Sequence, residues 1–160
     1  MMKVTERLKA EHGVLLMLLD HLEDVLRSGA DAAVLQATTA TVTAAEEKHA
    51  LFEERLLFRL LGASFGPASP LLSSLLEEHA RIAELSRFIR AGNFDEGTVG
   101  AYVAGLRQHI ERETHRLFPL IDEVIPEERL VTISNWDAEH VAREAMSGNR
   151  HRFEEWLARG

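Results

Sequence analysis

Four stretches of this sequence carry apolar residues at alternating steps of three and four, and no stretch alternates with the period of two that a strand needs. That spacing keeps one stripe of each stretch turned toward a partner helix, which restricts the chain to an all-α architecture. The first stripe reads Leu8, His12, Leu15, Leu19, Leu22, Leu26, and the second Leu35, Thr38, Val42, Ala45, His49, Phe52, Leu56. The third reads Leu72, Leu75, His79, Ile82, Ser86, Ile89, and the fourth Val99, Tyr102, Leu106, His109, Glu113, Leu117, Leu120. A histidine interrupts every one of them.

Gly and Pro punctuate the sequence in few places between the stripes, at Gly29, from Gly62 to Pro70, at Gly92 and at Pro126. Asp31 and Asp95 are expected N-caps, Gly29, Gly62 and Gly92 are expected helix ends, and Pro126 stops the last helix. Short connections between long helices imply antiparallel neighbours, so residues 1–125 are expected to form an up-down-up-down four-helix bundle. Residues 126–160 are expected to add a helical tail, with Leu130, Ile133, Trp136, Val141, Phe153 and Trp156 available to pack on the bundle or on a partner, which includes a second copy.

The second and fourth helices repeat one pattern, His49-x-x-x-Glu53-x-x-x-Leu57-Phe58 and His109-x-x-x-Glu113-x-x-x-Leu117-Phe118, while the first and third each carry Glu-His, Glu11-His12 and Glu78-His79. Two like hairpins thus face each other. With a rise of about 1.5 Å per residue, His12 and His79 lie roughly 14–15 Å above the floor of the bundle, Glu53 and Glu113 about 12–15 Å, and His49 and His109 one turn higher. All six belong to one layer. His21 and His115 turn away from their stripes, as do Glu54 and Glu111, and these are expected to be solvated; His140 and His151 fall in the tail and outside the set.

Composition says what such a layer can hold. With 26 acidic residues against 18 Lys and Arg, the chain lacks the basic stripe of a nucleic-acid binder. The apolar run from Val14 to Leu19 is too short to span a membrane and the opening residues show no signal-peptide core, so a cytoplasmic protein is expected. The absence of cysteine leaves imidazole and carboxylate as the metal donors.

A single histidine on an apolar face is commonly a hydrogen-bonded core residue. Four imidazoles and two carboxylates buried at one level are costly unless something compensates them, and a shared metal site accounts for all six. His and Glu at i and i+4 point the same way, so each pair offers a nitrogen and an oxygen to a common point. If both carboxylates bridge, each of two ions receives two nitrogens and two oxygens, with room for an oxo or hydroxo bridge and a small added ligand. Sulfur-free donors of this kind suit iron or manganese, with zinc or cobalt as substitutes. Glu46-x-x-His49 matches half of the ferritin-like pattern, but the fourth helix has no counterpart, and His-Glu-x-x-His and Gly-x-Ser-x-Gly do not occur.

His12, His49-x-x-x-Glu53, His79 and His109-x-x-x-Glu113, each pair followed by Leu-Phe, resemble the hemerythrin-like HHE cation-binding family over residues from about 3 to 125. The resemblance implies a non-haem di-iron centre bridged by Glu53 and Glu113 and ligated by His12, His49, His79 and His109. Oxygen-carrying hemerythrins have a further histidine in the third helix and an aspartate in the fourth where this chain has Ala83 and Thr114, which removes the five-histidine centre suited to reversible oxygen storage. The pattern is closer to bacterial hemerythrin-like proteins and to iron-cluster repair proteins, although the cysteine-bearing segment usual in the latter is missing.

The expected function is therefore binding of oxygen, nitric oxide or peroxide at the di-iron centre for sensing, storage or detoxification, by a monomer or homodimer. The alternative is a di-iron enzyme that turns over peroxide or nitric oxide, or repairs iron clusters. Tyr102, two turns before His109, is a weak candidate for a hydrogen bond or redox role beside the metals.

Overall fold

A computed structural model describes residues 2–134, and the tail residues Trp136, His140, Val141, His151, Phe153 and Trp156 lie outside the described residues. α1 (Val4–Arg27) and α2 (Ala32–Phe52) are followed by a π-helical turn, Glu53–Leu57, that leads without a break into α3 (Phe58–Phe65). α4 (Pro70–Arg90) and α5 (Glu96–Arg112) repeat the arrangement, with a second π-helical turn at Glu113–Leu117 leading into α6 (Phe118–Val124); α7 (Glu127–Ser134) closes the described chain. Every element among the described residues is helical.

The ends are set by local chemistry. Asp31 and Asp95 accept the backbone N–H of Val34 and Thr98, each at 2.9 Å, so both act as the expected N-caps. Ser69 caps α4 through the Leu72 N–H, with Pro70 at the first helical position where its missing N–H costs nothing. Gly29 and Gly92 lie just past α1 and α4 with φ of 66° and 98°. Gly62 does not end a helix. It sits inside α3, and the chain leaves that helix at Gly66, whose φ of 88° a residue with a Cβ rarely adopts. Pro126 does terminate α6, with Ile125 already extended before it.

α1 packs on α2 and α5, α4 packs on α5 and α2, and α7 lies against α1. The stripes face inward as their period requires, though several members are only half-buried. Leu26, Thr38 and Ala45 are half-buried while Val25, Thr39 and Glu46 beside them are buried, and Leu120 is half-buried while Ile121 takes its place in the core. The last of these follows from the π turn. There the N–H of Phe118 bonds to the carbonyl of Glu113, five residues back, and that of Phe58 bonds to Glu53, so each helix carries one residue more per turn and its stripe slips by one position.

Apolar side chains form two clusters. One contains Leu8, Phe52, Leu75, Leu117 and Phe118 and is extended by Leu130 and Ile133 of α7, and the other contains Leu15, Val42, Ile82, Tyr102 and Leu106. On α1 the two clusters are divided by His12, on α4 by His79 and on α2 by His49, while on α5 His109 lies at the edge of the second, between Leu106 and Ile110. A polar layer therefore crosses the core. No described helix is long and apolar enough to cross a membrane.

Candidate metal centre

The residues of that layer are buried as deeply as the leucines around them. Glu53 and Glu113 are fully excluded from solvent, and His12, His49, His79 and His109 are exposed by 5% or less. They form two groups whose donor atoms lie within 4.8 Å of one another, His12, His49, Glu53, Glu113 and Glu53, His79, His109, Glu113. All six side chains singled out from the sequence are brought together, and both carboxylates belong to both groups.

Glu53 divides its oxygens between the groups. Its Oε1 lies 3.3 Å from His49 Nε2 and 3.9 Å from His12 Nε2, while its Oε2 lies 3.5 Å from His79 Nε2 and 4.0 Å from His109 Nε2. Glu113 Oε2 spans them as well, 3.4 Å from His12 Nε2 and 3.3 Å from His109 Nε2. Among the described residues, both oxygens of both glutamates, together with Nε2 of His12 and of His49, have no hydrogen-bond partner. Native cores leave few such atoms, because each forfeits its hydration without compensation. Six orphaned donors converging from opposite helices fit divalent ions held between them.

Behind the layer, the outer ring nitrogens are all engaged. His49 Nδ1 donates to Glu11, His109 Nδ1 to Glu78 and His79 Nδ1 to Glu54, each at 2.9 Å, and His12 Nδ1 shares a hydrogen bond with Thr114 Oγ1 at 2.8 Å. An imidazole that gives its hydrogen outward keeps the Nε2 lone pair for the interior, the tautomer a metal ligand needs. Two of the supporting carboxylates are themselves held, Glu11 by Arg7 at 3.0 Å and Glu78 by Arg112. Under the layer, Phe118 stacks on His12 with ring centroids 5.3 Å apart and Phe58 packs on His79 at 4.8 Å, which is the use made of the repeated Leu-Phe. The Nε2 atoms of His79 and His109 are only 3.1 Å apart.

Glu54 is exposed as expected, and in addition it accepts from His79. His21, His115 and Glu111 are exposed as expected. Tyr102 is fully buried, and its hydroxyl bonds to nothing. Glu46, also buried and with an unpartnered oxygen, lies outside both donor groups; burial pushes its carboxyl up to about 7.

Charge is unevenly shared in the layer. Burial works against the Glu53 anion, but the His49 charge and the close approach of the His109, His49 and His79 rings outweigh it and hold the carboxyl well below the usual range. Burial and the Glu53 charge push Glu113 well above it. Two carboxylates so close cannot both ionise unless cations separate them. Burial likewise disfavours charge on His49 and His79, yet Glu53 with Glu11 raises the first to about 10, and Glu53 with Glu54 raises the second to about 9. Burial and the His49 charge take His12 down to about 3.

Grooves of about 260 Å³ between α1 and α2 and about 430 Å³ between α4 and α5 reach His49 and His109 respectively from the surface. The chain matches the hemerythrin HHE cation-binding domain over residues 3–121. No curated protein and no solved structure matches it. The matched span contains both halves of the buried layer, and the chain belongs to the hemerythrin HHE cation-binding family.

Proposed function

We propose that this protein is a non-haem di-iron protein whose centre binds a small diatomic ligand or peroxide. In this reading residues 1–125 form an up-down-up-down four-helix bundle. His12 and His49 would hold one ion and His79 and His109 the other, with Glu53 and Glu113 available to both. The observation that carries it is the set of six orphaned atoms in a solvent-free layer, with the two oxygens of Glu53 facing different histidine pairs. Four nitrogens and two shared carboxylates without sulfur suit iron, with manganese or zinc as substitutes.

A bound iron pair supplies Lewis acidity and electrons for holding a small ligand. The chain's own contribution is positional and electrostatic. Glu11, Glu54, Glu78 and Thr114 fix the ring orientations, the apolar clusters on either side keep bulk water from the layer, and the two grooves give small molecules a short way in. Protein from iron-replete cells is expected to carry about two irons per chain and to change its absorption spectrum between oxygen-free and oxygenated or nitric oxide-treated solution; folded protein without metal contradicts the reading.

Metal loading is also expected to release protons. With His49 raised to about 10 and His79 to about 9, both rings are charged at neutral pH in the metal-free chain and must lose a proton to bind. Affinity therefore rises with pH up to that range, and a pH-stat records acid release on addition of metal. The sign for stability is opposite. A raised folded-state pKa stabilises the metal-free fold fully below about 6.5, and that contribution is lost as pH climbs through 9 to 10. Chemical denaturation of the metal-free protein across this window checks it.

A further inference from the structure

In the partners of the outer ring nitrogens, the two hairpins differ at one position. Glu11 and Glu78, the residues before the lone histidines, accept from His49 and His109. The residues after Glu53 and Glu113, Glu54 and Thr114, hydrogen-bond to His79 and His12. Repeat symmetry would put a carboxylate at 114 to match Glu54, and the chain has a hydroxyl there.

The difference bears on the opposite side of the ring. An imidazole that donates to an anion gains electron density at Nε2 and becomes a stronger ligand, whereas a neutral hydroxyl gives less of this. The His79 and His109 position is backed by two carboxylates, Glu54 and Glu78. The His12 and His49 position is backed by one, Glu11, because Thr114 stands behind His12.

We propose that the two metal positions are unequal: the position formed by His79 and His109 fills first and retains its ion, while the position formed by His12 and His49, weakened by Thr114, fills second and empties first, giving the chain a stable one-metal state. This rests on the two-ion reading above. Changing one such outer partner typically alters metal affinity by about 10–100-fold, so a separation of about tenfold or more is expected.

The test is a titration of the metal-free full chain with Co²⁺, which reports each occupied position through its visible absorption, combined with chelator competition. Two binding steps of one ion each are expected. Thr114→Val, which removes the hydroxyl at nearly constant volume, should weaken the looser step about tenfold and spare the tighter one. Glu54→Gln should weaken the tighter step and narrow the gap, and Thr114→Glu should strengthen the looser step. A single two-ion step in the unaltered protein, or Thr114→Val and Glu54→Gln acting on the same step, overturns the inequality while leaving a two-metal centre intact. Absence of any cobalt binding by folded protein overturns the centre itself.

Discussion

Replacing Glu53 with alanine is expected to strip both ions from the protein, whereas His109→Ala removes one. Glu53 is the side chain whose two oxygens face different histidine pairs, Oε1 toward His12 and His49 and Oε2 toward His79 and His109. Its loss takes an anionic donor from each position and also removes the charge that counters the buried imidazoles. His109 Nε2, in contrast, belongs to a single donor group. Elemental analysis of purified Glu53→Ala should find well under one ion per chain with helical content retained, because the apolar clusters on both sides of the layer do not depend on Glu53. Two ions per chain in that variant would show that the carboxylate does not bridge.

Removal of metal from the unaltered protein is expected to have the second largest effect. Without ions the layer keeps unpartnered oxygens on Glu53 and Glu113 and unpartnered nitrogens on His12 and His49, all inside an apolar core. A ligand present at about 1,000 times its dissociation constant stabilises the fold by about 4 kcal/mol, and a loss of that size lowers the thermal midpoint of a domain this long by about 8–16 °C. Melting curves with and without chelator measure the difference. An unchanged midpoint would mean that no ion is held in the layer.

How much of this was legible in the sequence depended on whether a feature follows from one helix or from two. The six buried side chains were legible because helical period and rise place them without any knowledge of the packing, and the structure brings them within reach of one another. The caps at Asp31 and Asp95 were legible because a side chain three residues from an N–H is a local matter. Glu11, Glu54, Glu78 and Thr114 were not recognised as partners of the histidines, since each bonds to a ring on another helix and the helical approach decides which one it meets.

The π turns were missed for a different reason. A stripe drawn at three- and four-residue steps continues smoothly past Glu113 to Leu117 and Leu120, and only the exchange of Leu120 for Ile121 in the core betrays the extra residue. Consecutive buried Leu56, Leu57 and Phe58 carried the same signal in the other hairpin, because an α-helix cannot turn three successive residues to one face. The turns matter to the site. They start at Glu53 and Glu113, and Phe58 and Phe118, which pack on His79 and His12, follow directly after them.

The central claim is that one buried layer holds two ions between the same two carboxylates. Anomalous diffraction at the iron edge from crystals of the iron-loaded protein tests it most directly. Two peaks about 3.5–4 Å apart are expected, one beside His12 and His49 and the other beside His79 and His109, with Glu53 and Glu113 touching both. A single peak in fully loaded protein, or peaks elsewhere on the chain, would contradict it.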